Sequence, residues 1–176
     1  MSKSPSDTAA ADDATPAETA LFNRLGELGI KTVTVSHPPV FTVDEAKRLR
    51  GSLPGGHCKS LFLRNKKGEM WLVVTLEDRV LDLKLLGERI GAGRVSFGSA
   101  ERLMQYLGVI PGAVTPFAIV NDRERLVKVV LDAEMMLCTP LNYHPLRNDR
   151  TTAITPEDLI RFLEAEGHAP RIVDLA

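Results

Sequence analysis

The stretch Leu61-Phe-Leu-Arg-Asn-Lys-Lys-Gly-Glu-Met-Trp-Leu-Val-Val-Thr-Leu76 decides the fold class of this chain. Two apolar runs flank Asn65-Lys-Lys-Gly68, whose glycine supplies the left-handed residue that a short hairpin loop needs. Strands joined this closely pair antiparallel. Outside the hairpin, helical and strand-like segments alternate irregularly, which favours an α+β fold over a doubly wound parallel one. The expected architecture is a mixed, largely antiparallel β-sheet or partial barrel surrounded by helices.

Working outward, Thr15-Pro-Ala-Glu18 is a capping box with proline at the first helical position, and Leu21, Phe22, Leu25 and Leu28 then share one face until Gly29. Lys31 to Val35 alternates like a strand. Thr42-Val-Asp-Glu45 repeats the capping box and starts a helix that Gly51 stops. Leu83 to Ile90 reads as a short helix and Arg94 to Phe97 as a strand. Ser99 is the N-cap of a helix that buries Leu103, Met104 and Leu107 before Gly108. Phe117 to Asn121 and Leu126 to Leu131 read as a second hairpin around Asp122-Arg-Glu. Thr155-Pro-Glu-Asp158 opens a last helix through Glu166, closed by Gly167.

At 176 residues, 44% hydrophobic and 26% charged, the chain has the length and composition of one domain with a substantial core. Residues 1–15 are rich in Ser, Ala and Asp and hold no apolar run, so they read as a disordered leader, neither signal peptide nor membrane span, ahead of a single domain at 16–176. Cys58 and Cys138 are the only cysteines; without CxxC spacing or secretory context they read as reduced thiols in a cytoplasm. A net charge of −1 and a pI near 6.4 argue against general nucleic-acid affinity and against a DNA partner. The first twenty residues carry Asp7, Asp12, Asp13 and Glu18 against Lys3, a sum of −3 that leaves the rest at +2. Lys47, Arg48 and Arg50 precede Lys59, and Arg64, Lys66 and Lys67 follow it; such clusters read first as a solvated face, and any RNA that binds is expected to touch the chain only over a limited area. Dinucleotide, Walker and zinc-protease motifs are missing, and no cofactor or metal is expected.

Three segments carry polar and glycine chemistry. Gly108-Val-Ile-Pro-Gly-Ala-Val-Thr-Pro-Phe-Ala118 sets Gly112 between two prolines that stiffen the backbone, so that peptide N–H groups can approach a bound oxygen. Gly55-Gly-His-Cys-Lys-Ser-Leu-Phe-Leu63 places Lys59 at the opening of a strand, on the edge of the hairpin. Asn142-Tyr-His-Pro-Leu-Arg-Asn148 sets His144 before a proline. Together with His37-Pro-Pro-Val-Phe-Thr42, these four motifs, in order and from about Pro16 onward, resemble the YbaK/prolyl-tRNA editing domain family, and within it the free-standing, PrdX-like Ala-tRNA(Pro) deacylases.

The resemblance implies a hydrolase that cleaves an aminoacyl ester with a water placed by the substrate's terminal ribose hydroxyl and by backbone groups of the glycine loop. It implies catalytic roles for Lys59, Gly112 and His144, with Phe41, Ser60, Pro111, Thr115, Asn142 and Tyr143 contacting substrate. Lys59 would hold the phosphate or ribose of the 3′-terminal adenosine, and His144 would shape the amino-acid pocket. The implied partners are the acceptor end of tRNA(Pro) and prolyl-tRNA synthetase. Ser60 stands where many relatives carry asparagine, and Tyr143 adds a bulky ring where pocket volume is decided, which keeps serine and cysteine open as substrates besides alanine. Two other readings stand beside this one: a tRNA-end binding module without catalysis, and a thiol hydrolase using Cys58 with His57 or His144.

Overall fold

The computed structural model describes residues 14–39, 41–50 and 53–176, so residues 1–13 of the expected leader and the expected helix stop at Gly51 lie outside the described residues. Among the described residues there are five α-helices: α1 (Pro16–Glu27), α2 (Val43–Arg50), α3 (Leu83–Arg89), α4 (Ala100–Leu107) and α5 (Pro156–Ala165). The strands are β1 (Val33–Ser36), β2 (Gly56–Asn65), β3 (Met70–Leu76), β4 (Val95–Phe97), β5 (Val127–Asp132), β6 (Leu141–Tyr143), β7 (Arg150–Ile154) and β8 (Arg171–Val173). They form one open sheet in the order β1-β7-β6-β2-β3-β5-β8, with β4 also on β2. β1–β7, β7–β6, β2–β3 and β2–β4 run antiparallel, while β2–β6, β3–β5 and β5–β8 run parallel. This is the mixed α+β sheet expected.

Strand alternation builds two cores. Phe62, Met70, Leu72, Val74, Val129 and Leu131 face one side, against α1, α4 and α5. Leu63, Trp71, Val73 and Val130 face the other, where Leu86 of α3 and Ile90, its C-cap, cover them. Gly87 lets α3 sit close: a Cβ there would meet the Gly93 carbonyl oxygen at 1.9 Å. Gly87→Ala is therefore expected to lower stability by about 1–3 kcal/mol, read as a lower urea midpoint at unchanged slope.

The caps behave as their sequences indicate. Thr15, Ser99 and Thr155 each accept a hydrogen bond from a backbone N–H three residues on, and Gly108 closes α4 at φ 66°. Glu45 N–H donates to Thr42 Oγ1 at 3.1 Å, while the Glu45 carboxylate accepts from Phe41 N–H at 2.8 Å.

Four expectations need correction. Glu18 does not close its capping box; its carboxylate turns inward to Arg150 at 2.6 Å and Arg147 at 3.1 Å, because two guanidiniums compensate a buried charge better than one amide does. Met104 is half exposed rather than buried. The second hairpin is absent: Pro116–Asn121 winds as a 3₁₀ turn, started by Pro116 and by Thr115 Oγ1 accepting from Phe117 N–H, and Val127–Asp132 pairs parallel with β3 instead. Finally, β2 begins at Gly56, so Lys59 lies inside a ten-residue strand, not at its opening.

Candidate functional site

β2 is the spine of the site. On one side it pairs with β3 from Cys58 through Arg64. On the other, β6 pairs only with Gly56 and His57, and β4 only with Leu63, Arg64 and Asn65. Among the described residues no strand covers the stretch between them, and Lys59 and Ser60 sit in this notch. Its walls are the ends of β6 and β4.

The parallel register couples the wall to the spine. Gly56 lies beside Leu141 and His57 beside Asn142, where the pairing ends; just past it, Cys58 of β2 and Tyr143 of β6 come together. The packing agrees, since Cys58 and Tyr143 both join the first core, and the Tyr143 ring meets Phe117 edge-on at 6.0 Å. Asn142 is buried and clamps the Gly55–Gly56 turn by donating to the carbonyls of Pro54 at 3.0 Å and Gly56 at 3.1 Å. Gly55 is required there, because a Cβ would fall 2.2 Å from the Pro140 carbonyl oxygen.

Lys59 donates from Nζ to the Arg79 carbonyl at 2.5 Å and remains partly exposed. Burial holds its ammonium below the ordinary lysine value, with Arg79 pushing the same way and Asp78 and Glu77 pulling back. His144 is fixed by a bond between Nδ1 and the Arg150 carbonyl at 2.9 Å. Its ring lies 6.1 Å from that of His37, which bridges the Pro38 carbonyl and Thr151 Oγ1 at 2.8 Å each. Burial lowers the His144 pKa below 6.5, so the folded protein resists its protonation. A depressed folded-state pKa means the unfolded chain binds more protons as pH falls below 6.5; stability is expected to drop on acidification through that range, by urea titration, and less so in His144→Gln.

The other expected residues are more dispersed. Gly112 is the middle of a Pro111–Ala113 3₁₀ turn whose Ala113 is buried in the first core. It is not among the positive-φ glycines, so its backbone conformation is one that any residue could adopt. Pro111 and Phe41 are exposed, and Thr115 is fully buried as the cap of the next turn. Among the described residues no hydrogen bond joins Lys59, Gly112 and His144 to one another. Two hollows open elsewhere: about 350 Å³ beside α1, lined by Glu18, Phe22, Thr34 and Arg150, and about 590 Å³ beside α3, lined by Lys84, Glu88 and Arg94. His37 and Arg79 were not singled out as site residues from sequence; the His-Pro pair was the only signal for the first.

Thiol chemistry is disfavoured by Cys58 itself. Burial pushes its thiol up to about 12, which leaves almost no nucleophilic thiolate at neutral pH. Turnover is expected to stay within about twofold in Cys58→Ser and to survive alkylation of the native protein. Among the described residues no three His, Cys, Asp or Glu side chains gather to hold a metal, and no helix is long and apolar enough to cross a membrane.

Comparison with known proteins adds the chemistry. Residues 37–162 match the family model of the aminoacyl-tRNA editing domain. The chain is 35% identical over 160 residues to the prolyl-tRNA editing protein ProX of Acetoanaerobium sticklandii, covering 90% of this chain and 98% of that one. It is 41% identical over 151 residues to prolyl-tRNA synthetase associated domain-containing protein 1 of Danio rerio, covering 85% and 82%. Among solved structures, one described as a candidate trans-editing enzyme for prolyl tRNA synthetase superposes with a TM-score of 0.71 at 21% identity, covering 93% and 98%, which supports the fold.

Proposed function

The chain belongs to the aminoacyl-tRNA editing domain family, and from that premise we propose that it is a free-standing deacylase that removes alanine from mischarged tRNA(Pro). The observation that carries this reading is the ProX relative, aligned over nearly its whole length. The reaction is ester hydrolysis. Water attacks the carbonyl carbon of the aminoacyl ester, the bond from that carbon to the ribose oxygen breaks, and the ribose oxygen takes a proton as alanine leaves with the new oxygen.

Each residue has a part in this reading. Lys59 holds the phosphate or ribose of the terminal adenosine as a mobile point charge. His144, kept neutral by burial, shapes the amino-acid end of the notch, beside the turn that Asn142 clamps, with Tyr143 backing it from the core. Backbone N–H groups of the Gly112 turn steady the developing oxyanion, and the substrate's ribose hydroxyl places the water. Phe41, Ser60 and Pro111 complete the contacts with the acceptor end, and the buried Thr115 acts indirectly, as the cap of the turn that follows Gly112.

Selectivity follows from size. A synthetase built for proline excludes the smaller alanine poorly, since each missing methylene is worth only about 1–3 kcal/mol. A second cavity that admits a methyl group and clashes with the pyrrolidine ring discriminates by repulsion. Incubation with tRNA(Pro) carrying labelled alanine tests the reading: catalytic release of alanine is expected. Saturable binding with the ester intact would instead make the chain a tRNA-end binding module.

A further inference from the structure

Lys59 does not stand alone on its face of the sheet. Its register partner on β3 is Thr75, which is fully buried and donates from Oγ1 to Asp132 Oδ2 at 2.6 Å. Asp132 ends β5 with no exposed surface. The same Oδ2 accepts from Arg79 Nε at 2.6 Å, and Oδ1 accepts from Glu134 N–H at 3.2 Å. Arg79 also pairs with Glu134, and Asp78 beside it pairs with Lys47 of α2. The turn after β3 is thereby gripped by three elements, and its Arg79 carbonyl is the acceptor that holds the Lys59 ammonium.

A charge with no exposed surface is expensive to keep, and at a purely structural position an apolar side chain such as those of Val130 and Leu131 would serve. Asp132 instead satisfies three donors, and two of them bear on Lys59: Thr75 by lying opposite it, Arg79 by presenting the carbonyl. We propose that Asp132 is a positioning residue for deacylation, fixing Arg79 so that its carbonyl aims the Lys59 ammonium at the terminal nucleotide; this rests on the reading that Lys59 touches substrate. Burial of the ammonium fits the same arrangement, because a desolvated cation needs an oriented acceptor when no phosphate is bound.

A double-mutant cycle tests it. Asp132→Asn, Lys59→Ala and the double variant are compared by the second-order rate of alanine release from Ala-tRNA(Pro) and by Kd for uncharged tRNA(Pro), with folding followed by thermal melting. Asp132→Asn is expected to lower the rate and weaken binding by about tenfold in the parent, and by less than about twofold where Lys59 is already alanine. Equal losses in both backgrounds, the mark of a merely structural role, would overturn the proposal, as would a folded Asp132→Asn with unchanged rate and affinity. Where Asp132→Asn does not fold, Arg79→Lys, which keeps the charge and loses the Nε bond, is put through the same cycle with the same expected pattern. Lys59→Ala with full rate and affinity would remove Lys59 from the site, and the positioning role with it. Loss in Lys59→Ala with additive Asp132→Asn removes only the positioning role.

Discussion

Lys59→Ala is expected to cut alanine release from Ala-tRNA(Pro) by about 10²–10³, the scale set by removing one oriented charged or polar contact from a reacting complex. Lys59 sits in the uncovered middle of β2, partly exposed, and among the described residues its ammonium has one acceptor, the Arg79 carbonyl. Removing it leaves the pairing of β2 with β3 intact, because that pairing is made by the backbone. The melting temperature should therefore change little while the rate collapses. Lys59→Arg should not restore activity: a planar guanidinium fork cannot replace a compact ammonium both on one carbonyl and on a phosphate. Loss of rate in parallel with loss of folded protein would mean that Lys59 is structural instead.

The second large effect is on stability. Glu18, only 1% exposed, binds Arg150 at 2.6 Å and Arg147 at 3.1 Å, tying α1 to the start of β7 across more than a hundred residues. Removing one member of a buried ion network typically costs about 3–5 kcal/mol, because the remaining charges keep their desolvation cost without the compensating partner. Total stabilities of single domains are about 5–15 kcal/mol, so Glu18→Ala takes a large share. Urea unfolding should show a midpoint lowered accordingly at constant slope. A change below about 1 kcal/mol would show that the pair is electrostatically neutral in effect.

What could be read from the sequence was local. The Asn65–Gly68 hairpin and the threonine and serine caps depend on residues within four positions of each other, so their residues suffice to specify them. β6 and β8 are three residues each, and β6 becomes a strand only because β2 and β7 flank it. Phe117–Asn121 was misread because a short apolar run fits a strand or a buried turn equally well, and Thr115 with Pro116 decides for the turn. Lys59, Asn142 and His144, the residues proposed for the site, stand out in the sequence as motif residues. The Asp132–Arg79 support does not, since its members lie 53 residues apart and meet only through the parallel β3–β5 pair. Asp132 did leave one trace, a carboxylate closing the apolar run Val129–Leu131. Glu18 left a misleading one, because a capping-box glutamate and a buried ion-pair partner look alike in sequence.

The central claim is that the β2 notch takes the tRNA end charged with alanine and refuses the one charged with proline. One competition reaction measures it most directly: purified protein with equal amounts of alanyl- and prolyl-tRNA(Pro), each labelled on its amino acid, and seryl and cysteinyl forms in parallel. Alanine should be released at least about tenfold faster than proline, which should stay attached. Equal loss of alanine and proline would contradict the account.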